Sequence, residues 1–85
     1  MPPRYAVFLH VELLEVLPKQ GSQRHKVLEF ARSLADNPFA TGDFTDKDAT
    51  RRIRQIKIIG DFAVVFWTDH PVQTVMVVEI RLADR

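Results

Sequence analysis

The stretch from Arg51 to Leu82, RRIRQIKIIGDFAVVFWTDHPVQTVMVVEIRL, constrains the fold more than any other part of the chain. Isoleucine, valine, phenylalanine, tryptophan and threonine dominate it, the side chains that suit a pleated, half-buried surface. Two turn signals, Gly60-Asp61 and Asp69-His70-Pro71, divide it into three successive strands. The first strand carries Arg51, Arg52, Arg54 and Lys57, with no acid between Asp48 and Asp61. A cationic strand leading into a buried meander presents a surface to phosphate or to an acidic partner. It also has a plainer reading, since charged side chains guard edge strands against edge-to-edge aggregation.

Tyr5–His10 (YAVFLH) reads as a short opening strand after Pro2-Pro3. From Val11 the pattern changes: Val11, Leu14 and Leu17 share one helical face, Glu12 and Glu15 lie off it, and Pro18 ends the segment. Gly21-Ser22 opens a second helix with Ser22 as the expected N-cap. Val27, Leu28, Ala31, Leu34 and Ala35 follow the 3.6-residue period and form its buried stripe. Asn37-Pro38 stops it, because the residue before proline is pushed out of the α region. Phe39–Thr50 reads as a loop pinned by Phe39 and Phe44.

The expected fold is therefore α+β in the order β-α-α-β-β-β, an antiparallel sheet with two helices on one face. Strand parity adds detail. In the last strand Thr74, Met76, Val78, Ile80 and Leu82 are expected on the core side, with Val75, Val77, Glu79 and Arg81 on the open face. In the basic strand neither face is cleanly polar, and a bulge near Gln55 is the expected remedy. Such a bulge would turn Arg54 and Lys57 onto the same open face.

Composition narrows the function classes. The 85 residues make one domain, 1–85, since chains this short rarely support two cores. There is no cysteine, so disulfides and thiolate metal sites are excluded. His10, His25 and His70 match no zinc spacing and read as surface or turn residues, so neither a metal nor another cofactor is expected. No segment has a signal peptide's layout, and runs such as Phe62–Trp67 are too short to cross a bilayer. A soluble cytoplasmic protein with no membrane role is expected. Net charge is +1, less than a dedicated non-specific nucleic-acid binder carries, so the local charge at residues 51–57 is the better guide. Trp67 reads as core rather than as a base-stacking platform, and no partnered base supports a nucleophilic triad.

Several motifs carry a resemblance: the opening YAVFLH, the helix end LADNP, the glycine-bearing loop, and RRIRQIKIIGDF entering AVVFW. Together with the order of elements they resemble the RelE/ParE superfamily of type II toxin–antitoxin toxins, across nearly the whole chain. The resemblance implies one of two activities. RelE-like members are metal-free endoribonucleases that cut mRNA in the ribosomal A site, and ParE-like members poison DNA gyrase. Both are neutralised by a small antitoxin. For cleavage, the resemblance implies that Arg54, Lys57 and Arg81 hold the scissile phosphate, and that Arg51, Arg52, Arg54 and Lys57 form the nucleic-acid or partner-binding surface. The chain departs from the RelE pattern where an arginine follows the turn: it has Ala63 there, and no tyrosine follows Tyr5. Those departures favour a non-catalytic member that works by protein–protein contact. A third reading is a homodimer formed through the open sheet face, with Val65, Val75 and Val77 as its apolar patch. An antitoxin would cover the open face and Arg54/Lys57 with an acidic or amphipathic helix.

Overall fold

A computed structural model describes residues 4–83. Strand β1 (Ala6–Leu9) leads into a 3₁₀ helix (Val11–Val16), then helix α1 (Ser22–Ser33). Four strands follow: β2 (Phe44–Lys47), β3 (Ile53–Ile59), β4 (Phe62–Asp69) and β5 (Thr74–Leu82). They form one sheet in the order β1-β5-β4-β3-β2.

The α+β class holds, and the expected order and all-antiparallel sheet do not. β1 runs parallel to β5, with Ala6 opposite Thr74 and Leu9 opposite Val77. Four hairpin-linked strands, β2 to β5, alternate in direction, and the chain places β1 beside the last of them rather than beside the next in sequence. The connection from β1 to β2 must then cross the sheet from one edge to the other. It carries the helical layer over a single face. Leu17, Val27 and Leu34 from that layer pack with Phe62, Val64, Phe66, Val75 and other apolar residues of β4 and β5.

The first helix is 3₁₀, not α. Only a few residues separate His10 from Pro18, too few for a stable α-helix, and bonds from Leu13 N–H to His10 O and Leu17 N–H to Leu14 O close it at i→i−3. In α1 the N-cap is Gly21 (φ 110), and Ser22 is the first helical residue with no side-chain cap. Val27, Ala31 and Leu34 of the expected stripe are buried, whereas Leu28 and Ala35 are only half-buried and Phe30 packs against the core as well. The Gln23 amide fastens α1 to the β3–β4 turn, accepting from Asp61 N–H at 3.0 Å and donating to its carboxylate at 3.2 Å. Gly60 opens that turn at φ 60, as the first position of a II′ hairpin requires.

The segment expected as a loop contains β2, antiparallel to β3, with Phe44 opposite Ile56 and Asp46 opposite Arg54. Phe39 and Phe44 do not pin it, being 73% and 62% exposed. Backbone contacts hold it instead. Asp43 N–H donates to Ile56 O at 2.8 Å, and Gly42 N–H donates to Gln55 Oε1 at 2.9 Å. A Cβ at Gly42 would lie 2.4 Å from Ile56 O, so only glycine allows this approach.

The irregularity lies in β5, not near Gln55. β3 pairs without a break from Gln55–Phe66 to Ile59–Phe62. In β5, Glu79 faces Val65 and Val77 faces Phe66, which leaves Val78 unpaired as a bulge. The bulge reverses parity. Val75 and Val77 are therefore core residues under the helices, together with Ile80 beyond the bulge, and are not on the open face.

Candidate functional face of the sheet

The open face of the sheet collects most of the residues singled out in the sequence. Arg54, Ile56 and Ile58 alternate on that side of β3, since Ile56 packs with Val65 and Ala63 in a second apolar cluster apart from the helical layer. Glu79 and Arg81 project from β5 beside them, opposite Val65 and Ala63. Arg52 precedes β3, and its guanidinium lies 3.8 Å from the centre of the Trp67 ring, a cation–π contact. Trp67 is thus half-buried on the open face and not a core residue.

Lys57 is not brought to this group. It faces Val64 across the β3–β4 pair and shares parity with Gln55 and Ile59, so it lies on the helix-bearing side. An unbroken ladder allows no other placement. Its ammonium sits 3.6 Å from Asp43. Arg51 lies outside the strand, in the β2–β3 turn, at φ 66. That turn is wrapped around Asp48, whose carboxylate accepts from Thr50 N–H, the Thr50 hydroxyl and Arg52 N–H.

Each arginine on the open face has its own carboxylate. Arg54 grips Asp46 with two parallel bonds, Nε to Oδ1 at 2.8 Å and Nη2 to Oδ2 at 2.7 Å. Arg81 donates to Glu79 at 2.9 Å and Arg52 to Asp48 at 3.2 Å. These pairs sense one another. Arg54 holds the Asp46 carboxyl below its ordinary value chiefly through its hydrogen bonds, and Arg81 adds to the effect through space. The Asp46 bonds raise Arg54 in turn, with Glu79 acting the same way. Val65 and Ala63 are almost completely buried although nothing helical covers them, packed with Ile56, Ile58 and Ala83.

Toward β1 the face becomes apolar. Phe8, Trp67, Val72 and Met76, with Thr74 and Asp69 at the rim, line a shallow groove. Phe8 and Val72 are 65% and 64% exposed. The histidines stay outside these features: His10 lies 3.7 Å from Glu12, His25 pairs with Glu29, and His70 bonds the Tyr5 hydroxyl and stacks on Phe39. Among the described residues no group of three or more His, Cys, Asp or Glu is placed to hold a metal ion. No helix among them is long and apolar enough to cross a membrane.

The counter-ions Asp46, Asp48 and Glu79 belong to this candidate face and carry no signal in the sequence that marks them as partners of the arginines. Asp46 could be found only by recognising β2, and Glu79 was placed correctly on the open face without its role. Compared with known proteins, the chain matches no family model, no curated protein and no solved structure.

The depressed pKa of Asp46 carries a pH prediction. A carboxyl whose folded-state pKa is depressed stabilises the fold fully above its unfolded value, about 3.9, and the gain is lost as pH falls through the lower folded value. Asp48, lowered mainly by the Thr50 hydroxyl bond, acts in the same direction. Thermal unfolding of Asp46→Asn against wild type should show a constant deficit above about pH 5 that shrinks below about pH 4. A deficit unchanged down to about pH 2 would contradict the pairing.

Proposed function

We propose that this protein is a RelE/ParE-like toxin of a type II toxin–antitoxin system, working in the cytoplasm by binding a protein target through the open face of its sheet. The observation that carries the mode of action is the charge balance of that face. Three arginines, Arg52, Arg54 and Arg81, stand against three carboxylates, Asp48, Asp46 and Glu79. A phosphate backbone is bound by cations that neutralise it and release its counterions, and paired arginines are poorly suited to this. Protein partners are recognised by alternating charge around an apolar contact, which is what the ion pairs and the adjoining Phe8–Met76 groove offer. A small antitoxin fits the same face: an amphipathic segment would exchange its carboxylates for those on Arg54 and Arg81 and set an apolar side chain in the groove. DNA gyrase is the target that the ParE-like reading supplies.

A second reading, ribosome-dependent cleavage of mRNA, is favoured by one feature: Arg54 and Arg81 share a face, as cations holding a scissile phosphate would. Lys57 lies on the other side, and Ala63 stands where the RelE pattern has arginine. Cell-free translation of a defined mRNA with the purified protein, followed by primer extension, separates the two. The binding reading predicts an intact transcript, together with inhibition of gyrase supercoiling in a parallel assay. Codon-phased cuts that require ribosomes would replace it with the ribonuclease reading.

A further inference from the structure

The two edges of the sheet are built differently. β2 closes one edge with Asp46 and Lys47, the kind of charge that keeps an edge from pairing. β1 closes the other with Ala-Val-Phe-Leu, and no charge lies between Tyr5 and Leu9. In a parallel pair the N–H and C=O of one residue point to the same neighbour, and successive residues alternate. Ala6 N–H donates to Gln73 O at 3.0 Å, so Ala6 and Phe8 serve β5. Val7 and Leu9 therefore turn their N–H and C=O groups to the open side. Among the described residues neither has another backbone partner.

We infer that this edge pairs with the same edge of a second copy of the chain, antiparallel, about a two-fold axis at Phe8. The free residues decide the register. Tyr5 also points outward, but its N–H is already bonded to Ala35 O at 3.0 Å, and at Val11 the chain has turned into the 3₁₀ helix. Only pairing Val7 with Leu9 of the partner, and Leu9 with Val7, matches every open residue to an open residue. That arrangement makes four backbone hydrogen bonds and joins two five-stranded sheets into one.

The same register sets Phe8 against its own copy at the axis as a non-hydrogen-bonded pair, with Cα atoms about 4.5 Å apart. Aromatic pairs across such positions stabilise sheets. Each Phe8 borders the groove of Trp67, Val72 and Met76, so the two grooves become continuous across the axis. This contact uses the edge and leaves the charged part of the open face free. It therefore holds or fails independently of the toxin reading.

The chain has no cysteine, so a single introduced thiol reports on the axis. Across a non-hydrogen-bonded pair the Cα separation falls within the disulfide range of about 4.4–6.8 Å. Phe8→Cys is expected to form a covalent dimer under mild oxidation at least about tenfold faster than Phe44→Cys, a similarly exposed position on the β2 edge. Sedimentation of the wild type from about 1 μM to about 1 mM should show the mass rising toward a dimer, and Phe8→Lys should remain monomeric over that range. A wild type monomeric throughout overturns the inference, as does Phe8→Cys crosslinking no faster than Phe44→Cys.

Discussion

On the toxin reading proposed above, Arg54→Ala is expected to abolish growth inhibition in a bacterial host, while Lys57→Ala leaves it unchanged. Both substitutions remove one positive charge from the same strand. They differ in the face that loses it: Arg54 stands on the open face with two hydrogen bonds to Asp46, and Lys57 faces the helical side beside Asp43. If the open face is the binding surface, losing Arg54 removes a central contact and leaves Asp46 to repel an acidic partner. Arginines at the centre of an interface typically cost about 2 kcal/mol or more when truncated, roughly thirtyfold in affinity. A charge on the opposite face acts only through the long-range field, which salt screens over about 8–10 Å. On the same reading, the affinity of an antitoxin for the protein should fall roughly thirtyfold for Arg54→Ala and less than about threefold for Lys57→Ala. Far-UV circular dichroism checks that both remain folded. Equal losses for the two variants would contradict the assignment of the working face.

Phe66→Ala is expected to have the largest effect on stability. Phe66 is 1% exposed at the centre of β4 and meets Phe30 of α1 edge to face, ring centres 5.6 Å apart. It is thus one tie between the helical layer and the sheet. Emptying such a site costs about 3–5 kcal/mol. A domain of 85 residues at about 0.05–0.15 kcal/mol per residue has a total of about 4–13 kcal/mol. The variant is expected to be partly or wholly unfolded at 37 °C, whereas Phe39→Ala, at a side chain 73% exposed, should cost less than about 1 kcal/mol. Urea denaturation measures both. A cost below about 1.5 kcal/mol for Phe66→Ala would mean that the two layers are joined elsewhere.

Residues 53–82 were legible because their signal is local. β-branched side chains and a glycine turn specify strands whatever the rest of the chain does, and Gly60 takes the positive φ expected of it. The stripe of α1 was legible for the same reason, being a period of 3.6 within a dozen residues. The features that escaped depend on pairing. Phe44–Lys47 carries two charges among its four residues and has little strand propensity; it is a strand because β3 offers it a ladder. The parallel placement of β1 depends on where the long crossover deposits the chain. The bulge at Val78 lies within Val75-Met-Val-Val78, where every side chain is apolar and alternation gives no sign of a change of face. That single residue moved Val75 and Val77 from the open face to the core.

The same distinction applies to the site. Arg54 and Arg81 were legible as open-face cations, but their counter-ions were not. Asp46 lies eight residues before Arg54, and only the β2–β3 hairpin brings it opposite. A row of basic residues in the sequence thus became a neutral lattice of ion pairs in the fold. The change from a cationic strand to a balanced face is what shifts the reading from phosphate to protein.

Induced expression of the wild-type protein in a bacterial host, followed by colony counts, tests the central claim most directly. Growth arrest at full expression of folded protein is the predicted result. Normal growth at full expression of folded protein would contradict it.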